Sequence, residues 1–228
     1  MLAGLELYGQ EYVKLRFDAA FLDLSATIEY KGKALADQIS LPRSVYVEKH
    51  APNALLFLLE VQKWKMLYVD DQYDVFAVSR ASDIAAAIYD FFHAPTPADR
   101  LTHLLRITSK GSACYQDSWQ KGLKRALAVA RFLDPQHWAF VDWRILGVMG
   151  YRSMTALKQE RIGSNADQIR QLFEPIQYFD LEIALEMLQE YRCEDLPRAV
   201  DVECALYAIS LDIWRPGQTK ENLRRIHH

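Results

Sequence analysis

The sequence predicts an all-α protein. Three observations carry this reading. Apolar residues recur at helical spacing in segment after segment. Capping residues stand ahead of several of those segments. No region alternates Val, Ile and Thr as the strands of a sheet do. The 228 residues contain only 9 glycines and 8 prolines, so element breakers are sparse, and 50% of the chain is hydrophobic, enough for a sizeable core. There is no repeat period, no low-complexity tract and no Gly/Pro linker. One domain over 1–228 is expected, with residues 1–50 as an N-terminal lobe, 51–213 as the core and 214–228 as a tail.

The N-terminal lobe gives the least regular pattern. A helix is expected around 8–24, and 26–48 reads as irregular or as a strand pair. Residues 53–67, "NALLFLLEVQKWKML", form a helix capped by Asn53 after Pro52. Leu56, Leu59, Lys63 and Leu67 fall on one side of it, with Trp64 next to them. Ser82 caps a helix over 82–93, and Asp83 in its first turn suits the helix dipole. Ile84, Ile88, Phe91 and Phe92 make its apolar stripe. Thr96 caps, and Pro97 opens, a helix over 97–107. The polar run "TSKGSACYQDSWQKG" reads as a loop or interrupted helix. A helix over 123–133 follows, and Pro135 stops it. Shorter helices are expected at 141–149, at 165–173 after Ser164, at 180–192 and at 197–212.

The formal net charge is −3, which excludes a polycation. The charges are unevenly spread. Lys121, Lys124, Arg125, Arg131, Arg144 and Arg152 face only Asp134 and Asp142 over 121–152, whereas 174–204 holds nine acids and two arginines. One face is therefore expected to be locally positive. The three cysteines, Cys114, Cys193 and Cys204, lack metal spacing and fit a reducing cytoplasm. No signal-peptide core and no membrane-length apolar run is present. His93, His103 and His137 are scattered, and Asp70, Asp71 and Asp74 lack a calcium-loop pattern. No metal, cofactor or membrane is expected. His227 and His228 are given no role.

One stretch carries chemistry. Gly122 and Lys124 open an alanine-rich helix, Asp134-Pro135 ends it, and "AFVDWR" follows. Lys124 and Asp142 are eighteen residues apart. This stretch resembles the core of the helix-hairpin-helix DNA glycosylase superfamily. It is similar above all to poorly characterised bacterial relatives of that superfamily. Trp64-Lys65, Ala126-Leu127-Ala128, Val141-Asp142-Trp143-Arg144 and a late helix with Asp201, Ala205 and Leu206 complete the likeness, which spans roughly residues 53–212. The resemblance implies a compact orthogonal helical domain of the helix-hairpin-helix DNA glycosylase type. The family's hairpin has two glycines separated by one residue. Gln120 stands at the first of those positions, where a side chain hinders backbone approach to a phosphate.

What the resemblance implies for function is base excision from double-stranded DNA, by N-glycosidic cleavage with or without lyase action. Asp142 is the catalytic carboxylate and Lys124 the amine nucleophile. The base rotates out of the duplex, and Trp119 or Trp143 stacks on it. Lys110, Lys121, Gly122, Arg125 and Arg144 complete the nucleic-acid contacts. A different reading takes the same residues as structural. Asp142 is then a helix cap, Lys124 a solvated lysine, Trp64 a packed core residue, and the chain a non-catalytic module that binds nucleic acid or an unknown protein partner.

Overall fold

The computed structural model describes residues 17, 19–69, 80–108, 119–141, 145, 186 and 188–214, with the side chains of 65–69, 119–124 and 210–214 outside that set. Six helices carry the described fold: α1 (Ala19–Ala36), α2 (Arg43–Val69), α3 (Ala81–His93), α4 (Pro97–Thr108), α5 (Trp119–Leu133) and α6 (Ala199–Trp214). No strand occurs among the described residues. Helices α1 to α5 pack each against the next in chain order through the pairs α1–α2, α2–α3, α3–α4 and α4–α5, and α5 returns to touch α1 and α2.

The segment 26–48 holds the end of one helix (to Ala36) and the start of the next (from Arg43), joined by turns at 37–42, and contains no strand pair. On α1 the buried residues are Ser25, Ile28, Gly32 and Leu35, a three- and four-residue spacing that fits a helix and no strand. The expectation failed because small and polar residues, Ser25 and Gly32, hold core positions that hydropathy does not mark. At Gly32 the backbone of α1 lies directly against that of α5. A Cβ built there lies 2.0 Å from the Phe132 carbonyl oxygen and 3.2 Å from Phe57 Cε2.

Helix α2 begins ten residues earlier than the proline and asparagine suggest. Pro52 sits inside it, and Asn53 is an exposed interior residue and no cap. Proline removes the amide that would bond the Glu48 carbonyl, but Glu48 and Pro52 are both exposed, so water can serve that carbonyl. Tyr46, His50, Ala54, Phe57, Leu58, Val61 and Trp64 form one buried stripe that runs in phase through the proline. Burial of that stripe outweighs the local penalty. The side that carries Leu56, Leu59 and Lys63 lies away from this stripe: Leu56 and Leu59 are 53% and 41% exposed, and Lys63 is exposed beside them.

Helix α3 starts at Ala81, with Arg80 in extended backbone (φ −148°, ψ 100°) and no side-chain cap. Ser82 is therefore inside the first turn and does not cap it. Asp83 stands in that turn as expected, and Ile84, Ile88 and Phe91 are buried, with Phe92 packed at the core edge. Helix α4 follows its sequence signals closely. Thr96 Oγ1 accepts the Asp99 amide at 3.1 Å and donates to the Asp99 carboxylate at 2.7 Å, with Pro97 at the first helical position.

Helix α5 starts at Trp119, so the stretch 119–122 is helix and not loop. From Arg125 to Leu133 every residue is buried. A helix covered on all sides is the centre of a domain, and Trp64 marks its contact with α2. The Trp64 ring meets Phe132 and Phe140 edge-on at 5.0 and 5.9 Å, and its Nε1 donates to Ser25 Oγ at 2.9 Å. Trp64 is thus a packed core residue. Of the helix expected around 8–24, residues 8–16 and 18 lie outside the described residues; of the one at 141–149 only Val141, not helical, and Ile145, helical, are described; the one at 165–173 lies wholly outside. So do Asp70, Asp71 and Asp74.

Gly32→Ala is predicted to destabilise the protein by about 1–3 kcal/mol, because the added methyl meets backbone that cannot turn aside. Urea denaturation reads this as a lower midpoint. An unchanged midpoint would show that α1 and α5 separate freely.

Candidate functional site

Helix α5 stops at Asp134-Pro135. The Asp134 amide still bonds the Ala130 carbonyl at 2.9 Å, and its own carbonyl accepts the Trp138 amide at 2.9 Å. The chain then runs without regular structure through Trp138, Ala139, Phe140 and Val141, all buried. Backbone in such a place needs partners for its polar groups, and α6 holds both the turn that leads into the strip and, through Glu203, the strip itself. The Ala199 amide bonds the Gln136 carbonyl at 3.3 Å, and the Val200 amide bonds the Pro135 carbonyl at 3.2 Å. These are among the first amides of α6, which its own helix cannot satisfy. The same end is capped by Asp201, whose carboxylate accepts the Arg198 amide at 3.0 Å.

Glu203 completes the hold. Its Oε2 accepts the Phe140 amide at 2.8 Å and Arg131 Nε at 2.7 Å. The Arg131 and Glu203 side chains are 2% and 0% exposed. Arg131 Nη2 lies 3.5 Å from Cys204 Sγ, and the guanidinium stacks 4.8 Å from the Trp64 ring centre. A buried carboxylate therefore ties three parts of the chain: α5, α6 and the strip that leads to residue 142. Burial pushes the Cys204 thiol up to about 12, so it stays neutral near pH 7.

The sequence-selected residues divide into three groups. Asp142, Trp143, Arg144 and Lys110 lie outside the described residues. Trp119, Lys121, Gly122 and Lys124 lie on the first turns of α5, with their side chains outside the described set. Arg125 is 1% exposed and Arg131 likewise, which corrects the expectation that both belong to a positive surface. A buried guanidinium cannot meet the phosphates of a duplex lying on the protein. Trp138 is buried at 2% and packs 5.6 Å from Phe91.

The backbone does set Lys124 in relation to the clamp. Seven residues, two helical turns and about 10 Å of rise, separate it from Arg131, so the two Cα atoms lie on the same side of α5. Val141 is the last buried residue before Asp142, and Ile145 is helical and buried. Among the described residues no cluster of His, Cys, Asp or Glu could hold a metal, and Cys193 and Cys204 are free.

No family model, curated protein or solved structure matches this chain.

Sequence reasoning missed the Arg131–Glu203 pair. Two signals pointed to it. Arg131 sits among alanines, Val129, Phe132 and Leu133, and Glu203 sits in "AVDVECALYAI", each a charge in a run too apolar to have a solvated face.

Glu203→Gln is predicted to cost about 3–5 kcal/mol, since it leaves the buried Arg131 cation without its anion. The glutamine carbonyl can still accept the Phe140 amide. Adding Arg131→Met should therefore recover a large part of the loss. Equilibrium denaturation of the two single variants and the double variant measures this coupling, and additive losses would contradict it.

Proposed function

We propose that the protein binds double-stranded DNA and cleaves an N-glycosidic bond, with Asp142 and Lys124 as the reacting groups. The observation that carries this reading is the relation between α5 and the strip 138–141. Lys124 shares the side of α5 from which Arg131 reaches Glu203, and Glu203 fixes the backbone two residues before Asp142. A buried clamp of this kind suits a carboxylate that must keep its place while a base is rotated out of the duplex.

The chemistry is that of an amine and a carboxylate at a sugar. The neutral Lys124 amine attacks the anomeric carbon as the bond to the base breaks. The electron pair of that bond leaves with the base, which takes up a proton. Asp142 stabilises the positive charge that develops on the sugar. Loss of a proton from nitrogen and opening of the sugar ring give a Schiff base. Without attack by Lys124, a water oriented by Asp142 gives base release alone.

One observation favours a second reading. Burial of Arg125 and Arg131 removes two of the six cations of 121–152 from any phosphate-binding face. This fits a non-catalytic module that binds a protein partner and uses Asp142 as a helix cap.

The two readings separate by covalent trapping. Duplex DNA with an abasic site, 8-oxoguanine or uracil is incubated with the full chain and reduced with borohydride. The catalytic reading predicts an adduct that Lys124→Ala abolishes, and base release that Asp142→Asn lowers by about 100-fold or more. Absence of adduct, base release and salt-sensitive binding would overturn it.

A further inference from the structure

A cavity of about 290 Å³ opens between α1, the C-terminal half of α5 and the start of α6. Its size is close to the lower end of the roughly 300–1,000 Å³ of ligand pockets. Phe21, Leu22 and Ala26 of α1 form one apolar wall, and Leu196 and Val200 form the facing one. The polar lining is Ser25, Arg131, Cys204 and a linked group in which Arg198 bonds both Glu29 and Asp201. An apolar body with one polar group fits such a division.

The charge of the polar lining selects the polar group. Arg198 is held on Asp201 by bonds of 3.0 Å from Nε and 2.7 Å from Nη2, so that pair is closed. Arg131 is matched by Glu203 at 2.7 Å. Glu29 is the remaining anion, and Cys204 stays a neutral thiol. Among the described residues the buried Arg131–Glu203 pair is neutral, and Arg198 against Glu29 and Asp201 leaves one net negative charge in the polar lining.

Glu29 also has capacity to spare. Its Oε2 accepts Arg198 Nη1 at 2.8 Å, and its Oε1 takes no bond among the described residues. The pair is partly exposed, 32% for Arg198 and 21% for Glu29, so the contact is weak enough to share its carboxylate with an incoming donor. An incoming carboxylate would instead meet Glu29 and Asp201 with the guanidinium of Arg198 already engaged.

We infer that this cavity binds a small organic cation, an ammonium or amidinium group on an apolar or aromatic body, with Glu29 as its counter-ion. The inference is independent of the DNA reading, because Asp142 and Lys124 take no part in it.

Benzamidine is the probe, with benzoate and benzyl alcohol as controls of similar size. Each is titrated into the full chain by calorimetry at low salt. Benzamidine should bind saturably and at least about tenfold more tightly than either control, as a charge-assisted contact requires. Glu29→Gln should weaken benzamidine by about tenfold and leave benzyl alcohol unchanged. Ala26→Leu, which narrows the cavity and spares every charge, should weaken benzamidine while circular dichroism still shows the cooperative melt of a folded protein. Benzoate binding as tightly as benzamidine would overturn the inference. So would absence of saturable benzamidine binding, or benzamidine binding that neither substitution changes.

Discussion

The structure depends on one buried ion pair. Arg131 and Glu203 are both removed from water inside a largely apolar core. Such a pair is costly to bury, and its attraction compensates only when geometry and further hydrogen bonds are good. Here Glu203 Oε2 takes two short bonds, one from the guanidinium and one from the Phe140 amide. The second matters as much as the first. It gives a buried backbone N–H a partner and thereby lets a strip without regular structure run through the core. A hydrophobic pair in the same places would pack as well but could not hold that strip in one register.

The other close contacts follow from having α5 at the centre. Because α5 is covered all round from Arg125 to Leu133, its neighbours there approach by different devices. Helix α1 does so at Gly32, where no side chain stands between it and the Phe132 carbonyl. Helix α2 does so with Trp64, whose ring fills the space by Phe132 and Phe140 and whose indole N–H is answered by Ser25. Helix α6 does so with Glu203. The cavity beside Arg198 lies where the partly exposed contact of Glu29 with Arg198 links α1 to the residue that precedes α6.

Local signals in the sequence marked several element ends well. Thr96-Pro97 and Asp134-Pro135 act through their own backbone chemistry, and both ends stand where the residues put them. Signals that tertiary packing overrides read badly. Pro52 looked like a start because its local cost is real, but a buried stripe continuing on both sides outweighs it. Ser25 and Gly32 hid α1, since a core position next to another backbone wants a small residue and hydropathy does not record that. Lys124 and Asp142 are proposed from a short pattern along the chain. The buried pair was not, because Arg131 and Glu203 are 72 residues apart and only the fold brings them together.

The clamp links the fold to the proposed chemistry, since it positions the backbone immediately before Asp142. The most direct test is hydrogen exchange at the Phe140 amide, followed by NMR in the wild-type chain and in Glu203→Gln. The account predicts that the Phe140 amide is protected as strongly as the central amides of α5, and that Glu203→Gln reduces this protection more at Phe140 than within α5. Exchange of the Phe140 amide at the rate of an exposed loop in the wild-type protein would contradict it.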